Sequence, residues 1–321
     1  MAKKELMNNS ISFFLPSPQL RDFVHNYYIA EFDCVPDRNN FEQRHLSNGC
    51  TEMFIGYQNT RSTCFDSDGK AFFIESGVVG AHNLSGPVKG LVQETGAKAF
   101  KFVSVNFRQN GFYNIFRIPG SETYNGFFDG SSIIGNDIEK IRQKLSDSKT
   151  NAERCTHIED FLTEQYKKNS DKAFTLCGGM NITAYIINKN GNVRIRDLMT
   201  EFNVSERTLE RNFKAATGYP VKEFCKIVRF NKLLELVTFS HDVNWADMVS
   251  RFGYYDQSHL INEFRNATGI VPSVYCRNIN TKIFRFFNHL AIPDTKEFTE
   301  AMMDSSANSS EIATTIPDCF F

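Results

Sequence analysis

The sequence predicts an α+β chain of two domains, a mostly β front half with trailing helices and an all-helical back half. Three observations carry this. Between residues 13 and 130, short runs rich in Phe, Tyr and Val are broken by Gly, Asn and Pro, the pattern of strands joined by tight turns. From 178 to 280 the apolar residues recur every three or four positions, the spacing of amphipathic helices. Within that helical stretch, residues 198–226 and 248–277 are two degraded copies of one pattern.

In the front half the expected strands are 52–57, 71–75, 78–80 and 100–107, with turns at Asp68-Gly69, Asn110-Gly111, Pro119-Gly120 and Asn125-Gly126. Residues 18–32 fit either a strand or a helix, because Leu20, Phe23, Val24 and Tyr27 also make a helical stripe. Two helices, 133–145 and 152–168, close this domain; in the second, Cys155, Ile158, Phe161, Leu162 and Tyr166 lie at helical spacing. Polar residues 169–172 make the expected linker. The domains are accordingly 1–170 and 176–281. Residues 282–321, with the polar run 305–310, are expected to be mobile apart from a short helix at 282–290.

In the back half Asn190-Gly191-Asn192 ends a first helix. The first copy then gives helices 193–202 and 205–216, and the second gives 245–252 and 257–267, with a long helix 221–239 between them. Phe202 pairs with Phe252, Leu209 with Leu260, and Phe213 with Phe264, while the offset drifts from 50 to 52 through small insertions in the turns. Each copy has the layout of a helix-turn-helix: a short helix, a tight turn and a second amphipathic helix.

Ser205 and Asp256 stand where N-caps belong. With Leu209 and Phe213 inward, the second helix of the first copy shows Arg207, Glu210, Arg211 and Lys214 outward. Arg can bridge guanine and Glu can accept from cytosine, whereas Lys214, with Arg229 on the long helix, suits phosphates. In the second copy Gln257, Ser258, Ile261 and Asn262 face outward, with Arg265 a turn further on; Gln and Asn suit adenine, and Ile a thymine methyl. A single amphipathic helix with charges outside is usually only a solvated surface helix. The duplication is what lifts this pair above that reading.

Composition sets bounds. The chain has 321 residues, 41% apolar and 23% charged, ample for two packed cores. Eight scattered cysteines without a C-x-x-C pair point to reduced thiols in a cytoplasmic protein. No stretch approaches the ~18 apolar residues of a membrane helix, so no membrane partner is expected. The net charge of −1 gives no general affinity for nucleic acid; residues 176–281 hold 13 Lys/Arg against 10 Asp/Glu, a modest excess. His25, His45 and His82 are isolated, with no H-x-H and no H-E-x-x-H, and the Gly-rich phosphate loops are absent, so no metal, cofactor or catalytic set is expected. Cys50, five residues from His45, reads as a buried thiol.

The back half resembles the C-terminal domain of AraC/XylS-type transcriptional regulators. The likeness rests on Ser205, Leu209, Phe213-Lys214, Thr217-Gly218-x-Pro220, Arg229, Gly253-Tyr254, Ser258-x-Leu260, Phe264-Arg265 and Gly269-x-x-Pro272-x-x-Tyr275. It implies about seven helices carrying two helix-turn-helix units, double-stranded promoter DNA as partner, and RNA polymerase as a second partner. Met248-Val249 and Asn262 depart from the family pattern in the second unit. The front half resembles more faintly a sensor domain of such regulators, through Pro18-x-Leu20-x-x-Phe23-Val24-x-x-Tyr27, His45-x-x-Asn48-Gly49-Cys50-x-Glu52, Gly80, Gly86-Pro87 and Val105-x-Phe107. That implies a β-barrel or half-barrel with room for a small-molecule effector, or a homodimer. The alternative is a small-molecule-binding or assembly module whose helix-turn-helix units do not touch DNA.

Overall fold

The computed structural model describes residues 10–32, 47–57, 62–65, 71–74, 78–80, 92–93, 100–124, 126, 128–170, 179–239, 243–268, 271–278 and 311–315. The expected turn at Asp68-Gly69, His45, His82, Gly86-Pro87 and the helix at 282–290 lie outside these residues, as do Asn125 and residues 171–172.

Among the described residues ten short strands build the front domain: β1 (Ser10–Phe14), β2 (Val24–Phe32), β3 (Glu52–Gly56), β4 (Ser62–Phe65), β5 (Ala71–Ile74), β6 (Val78–Gly80), β7 (Val92–Gln93), β8 (Phe100–Phe107), β9 (Phe128–Asp129) and β10 (Glu311–Thr315). They form an antiparallel sheet in the order β10-β1-β2-β8-β3-β6-β9 and a second sheet, β5-β4-β7. The ambiguous stretch 18–32 divides: the chain turns at 18–23, where the Val24 N–H donates to Leu20 O at 2.8 Å, and then runs as β2. The tail, expected to be mobile, contributes β10, which pairs with the edge strand β1 (Ser10 opposite Thr315, Phe14 opposite Glu311) and so covers an otherwise open ladder.

Side chains alternate across a strand. Tyr27 and Ile29 of β2, Val103, Val105 and Phe107 of β8, and Met53 and Ile55 of β3 share one core with the helices that follow. Those helices are α1 (Gly111–Phe116), α2 (Gly130–Ile134), α3 (Asp137–Asp147) and α4 (Asn151–Asn169).

The expected turn at Asn110-Gly111 is present, closed by Gly111 N donating to Arg108 O at 2.8 Å, and it leads into α1, where Phe112, Ile115 and Phe116 are buried together at helical spacing. Gly111 is required there: a Cβ would stand 1.7 Å from Phe23 O. The single helix 133–145 is two, α2 and α3, broken at Gly135, whose φ of +88° with ψ of −165° is glycine backbone.

The start of α4 is fixed by a capping box, in which Thr150 accepts from Glu153 N and Glu153 accepts from Thr150 N. Buried Arg154 then binds Leu145 O and Ser148 O, and its guanidinium lies 4.5 Å from the Tyr57 ring centroid. This joins α3, α4 and the sheet. At the far end Asn169 donates to Ile115 O at 3.1 Å, so the first residue of the expected linker is still inside the domain.

The back half forms seven helices among the described residues: α5 (Gly179–Asn188), α6 (Ile195–Phe202), α7 (Glu206–Thr217), α8 (Val221–Phe239), α9 (Trp245–Arg251), α10 (Gln257–Thr268) and α11 (Pro272–Asn278). Their core gathers on α8. Phe224, Ile227, Phe230, Leu233 and Leu234 of α8 share one cluster with Leu209 and Phe213 of α7 and Leu260 and Phe264 of α10. No helix among the described residues is long and apolar enough to cross a membrane.

Candidate nucleic-acid interface

The two copies close their first helix with the same hydrogen bond between equivalent residues. In the first, Asn203 adopts the left-handed conformation (φ +49°) and Val204 N donates to Met199 O at 3.1 Å. In the second, Gly253 does so (φ +66°) and Tyr254 N donates to Val249 O at 3.0 Å. All three pairs keep an offset of 50. This is the helix-stop geometry that satisfies the last carbonyls of the first helix while turning the chain sharply. The next helix is capped in each copy by a side-chain oxygen. Ser205 accepts from Thr208 N at 3.3 Å, and Asp256 accepts from His259 N at 2.7 Å. At the far ends Thr217 Oγ1 donates to Phe213 O and Thr268 Oγ1 to Phe264 O, each at 2.8 Å.

The offset is 50 up to Tyr254 and 51 from Asp256 to Gly269, so the extra residue of the second turn is Tyr255. Tyr255 is 91% exposed, beside the N-terminus of α10. Sequence reasoning missed it, although the drift in offset was the signal.

Of the expected contact residues, Arg207, Arg211 and Lys214 are exposed on α7, and Arg211 Nε donates to Asn212 Oδ1 at 3.3 Å. Gln257, Ser258, Asn262 and Arg265 are exposed on α10, and Ile261 is half-buried. Two assignments change. Glu210 accepts from Val221 N at 3.3 Å. It thus caps α8, whose first N–H groups have no partner within the helix, and is not a free acceptor for a base. Arg229 is not free for a phosphate. Its Nη2 lies 3.3 Å from Glu263 Oε2, and its guanidinium sits 4.8 Å from the Tyr254 ring centroid. Tyr254 Oη donates to the other oxygen of Glu263 at 2.6 Å. Burial, then the Glu263 carboxylate, holds the Tyr254 hydroxyl protonated, far above its ordinary range. Arg229, Tyr254 and Glu263 therefore lock the second turn and α10 onto α8.

Residues 198–278 match a family described as a helix-turn-helix domain. The C-terminal domain is an AraC-type helix-turn-helix domain. Residues 12–129 match a family described as a domain of unknown function (DUF6597). No curated protein matches the chain.

Similar solved structures are those of ToxT from Vibrio cholerae. A 1.65 Å structure has 11% identity and a TM-score of 0.42, covering 79% of this chain and 98% of that one. An apo variant has 13% identity and a TM-score of 0.43, covering 78% and 97%. A third, bound to an unsaturated fatty acid, has 11% identity and a TM-score of 0.40, covering 87% and 98%.

The front domain grips the AraC-type domain at the junction of α7 and α8. Gly120 and Gly218 meet backbone to backbone, so closely that a Cβ on Gly120 would stand 2.3 Å from Gly218 N. Tyr124 packs edge-on against buried Tyr219, with ring centroids 5.4 Å apart. The turn before β3 rests on α8: Asn231 Nδ2 donates to Ser47 O at 2.9 Å, and Gly49 (φ +74°) lies against the Phe224 ring. That turn is tied internally, since Cys50 N donates to Asn48 Oδ1 at 2.9 Å and Asn48 Nδ2 donates to Glu52 Oε1. Glu52 is buried, and desolvation raises its carboxyl to about 7 against the lowering pull of Asn48. The Cys50 thiol, beside it, is pushed up to about 12 by burial and then by Glu52, which makes it an inert core thiol. Among the described residues no group of three His, Cys, Asp or Glu could hold a metal ion.

Proposed function

We propose that this protein is a sequence-specific regulator of transcription that reads duplex promoter DNA with α7 and α10. The observation that carries this is the repeated turn, Met199-Asn203-Val204 and Val249-Gly253-Tyr254, which flanks α8 in the chain. Two such units joined by one long helix suit two stretches of major groove. Arg207 and Arg211 are the base-reading donors of α7, and Lys214 takes a phosphate. On α10, Gln257, Ser258, Ile261 and Asn262 read bases, with Arg265 and Tyr255 at the flanks. The modest charge excess of the domain makes these few cations matter individually.

The front domain sets the geometry of the first unit, because it holds Gly218 and Tyr219 at the end of α7 and Ser47 on α8. An effector or a second copy bound to that domain acts on DNA through this contact. The test is binding of the full chain to selected genomic fragments against scrambled duplexes over a range of salt. Selective, salt-sensitive binding is expected. Equal, weak binding to every duplex would leave the two units as assembly elements.

A further inference from the structure

β10 follows the helical domain in the chain, yet it belongs to the front domain. It is the end strand of the main sheet, and β1 is the strand it pairs with. The ladder is antiparallel over five residues, from Ser10 opposite Thr315 to Phe14 opposite Glu311. On its other side β1 pairs with β2 in unbroken register.

Nothing in β1 itself guards an edge. Ser10-Ile11-Ser12-Phe13-Phe14 holds no charge, no proline and no bulge, the features that keep exposed strands from joining one another. The guard is β10. Among the described residues β1 is its one ladder partner, so β10 can leave without breaking another ladder. Residues 279–310 tether it to the end of α11. These 32 residues span about 100 Å when extended, against a diameter of about 50 Å for a compact chain of this length. The tether is therefore long enough to reach the β1 edge of a neighbouring copy.

We propose that β1 is a strand-accepting surface for a second copy of this chain, and that two copies dimerise by exchanging β10. Glu311–Thr315 is the segment that pairs with this edge, and a second copy brings the same five residues in the same register. Exchange is reciprocal, so the dimer is two-fold and closed, and each sheet keeps the ladder it had. The tether opposes exchange, because it holds a chain's own strand near β1 at an effective concentration of about a millimolar. Exchange is thus rare in dilute solution and favoured where two copies are held close together. It does not depend on whether the helical domain reads DNA.

The test mixes two full-length variants, Ser10→Cys and Thr315→Cys, one of them isotopically labelled, under mild oxidation and without DNA. Residues opposite in a ladder have Cα atoms about 4.5–5.5 Å apart, within reach of a disulfide. Mass spectrometry should find residue 10 of one variant linked to residue 315 of the other. The linked fraction should rise about tenfold when the mixture is concentrated tenfold below the millimolar range. Adding Ile312→Pro and Ala313→Pro to the Thr315→Cys chain should abolish the link, since one of two neighbouring residues must donate into the ladder. The double variant Ser10→Cys/Thr315→Cys, kept dilute, should close within single chains. Linkage confined to single chains at every concentration, a link between chains that survives the prolines, or no linkage in either arrangement overturns the proposal.

Discussion

Replacing Arg229 separates a structural cation from a DNA-binding one. Arg229→Gln would leave the Glu263 carboxylate, 14% exposed, without its cation, and would remove a guanidinium, 17% exposed, from the Tyr254 ring. An exposed pair contributes about 0–1 kcal/mol, and breaking a fully buried one costs about 3–5 kcal/mol. With most of both side chains covered, the ion pair falls between, at about 2 kcal/mol, and the cation–π contact adds about 1 kcal/mol. The expected loss of about 3 kcal/mol lowers a urea midpoint by about 1–2 M. Salt titration of DNA binding should keep its slope, because Arg229 releases no counterion. Lys214→Gln should do the reverse, with an unchanged midpoint and a slope flatter by about one unit. A stable Arg229→Gln protein whose salt slope flattens would refute the lock and return Arg229 to a phosphate.

Alanine at Arg207 plus Arg211 should cost about 2–6 kcal/mol of specific binding, at about 1–3 kcal/mol for each base contact. Alanine at Gln257 plus Asn262 should leave a measurable but shorter footprint, and the opposite ranking would show that exposed charge is the wrong guide to the anchoring helix. Tyr255→Ala should weaken DNA binding while leaving the urea midpoint in place, since the side chain is 91% exposed; a lowered midpoint would make it a packing residue. Gly120→Ala drives a Cβ into Gly218 and should change DNA affinity without unfolding either core, whereas unchanged affinity would disconnect the domains. Glu52 gives a pH signature. Its carboxyl is raised to about 7, so its contribution is fully present below the unfolded value of 4.5 and is lost as pH rises through about 7. Between pH 5 and 8 the protein should lose up to about 3 kcal/mol that Glu52→Gln does not lose; parallel urea midpoints for the two would show that Glu52 titrates normally.

The helical half was legible because its core residues repeat. Leu209 and Phe213 against Leu260 and Phe264, with Ser205 and Asp256 as caps, mark both units by their spacing alone, and the expected span of α8, 221–239, is the span found. What the pattern could not show is which outward-facing polar groups are already engaged. Glu210 and Arg229 are spoken for by Val221 N and Glu263, partners 11 and 34 residues away, and periodicity within one helix carries no information about them. In the front half β6 and β8 were plain from their β-branched and aromatic runs. α1 was hidden because Asn-Gly signals a turn whether a strand or a helix follows, and only the close approach of Phe23 O to Gly111 decides. The pairing of β10 with β1 joins opposite ends of the chain, beyond the reach of any local pattern.

The most direct test of the central claim is a hydroxyl-radical footprint of the full chain on its best selected duplex, beside the Arg207→Ala/Arg211→Ala variant. Two DNA-reading helices should give two protected segments one helical turn apart, about 10 base pairs from centre to centre, and the variant should lose one of them first. A single protected segment, or protection that the variant leaves unchanged, would contradict the assignment of α7 and α10 as a pair that reads DNA.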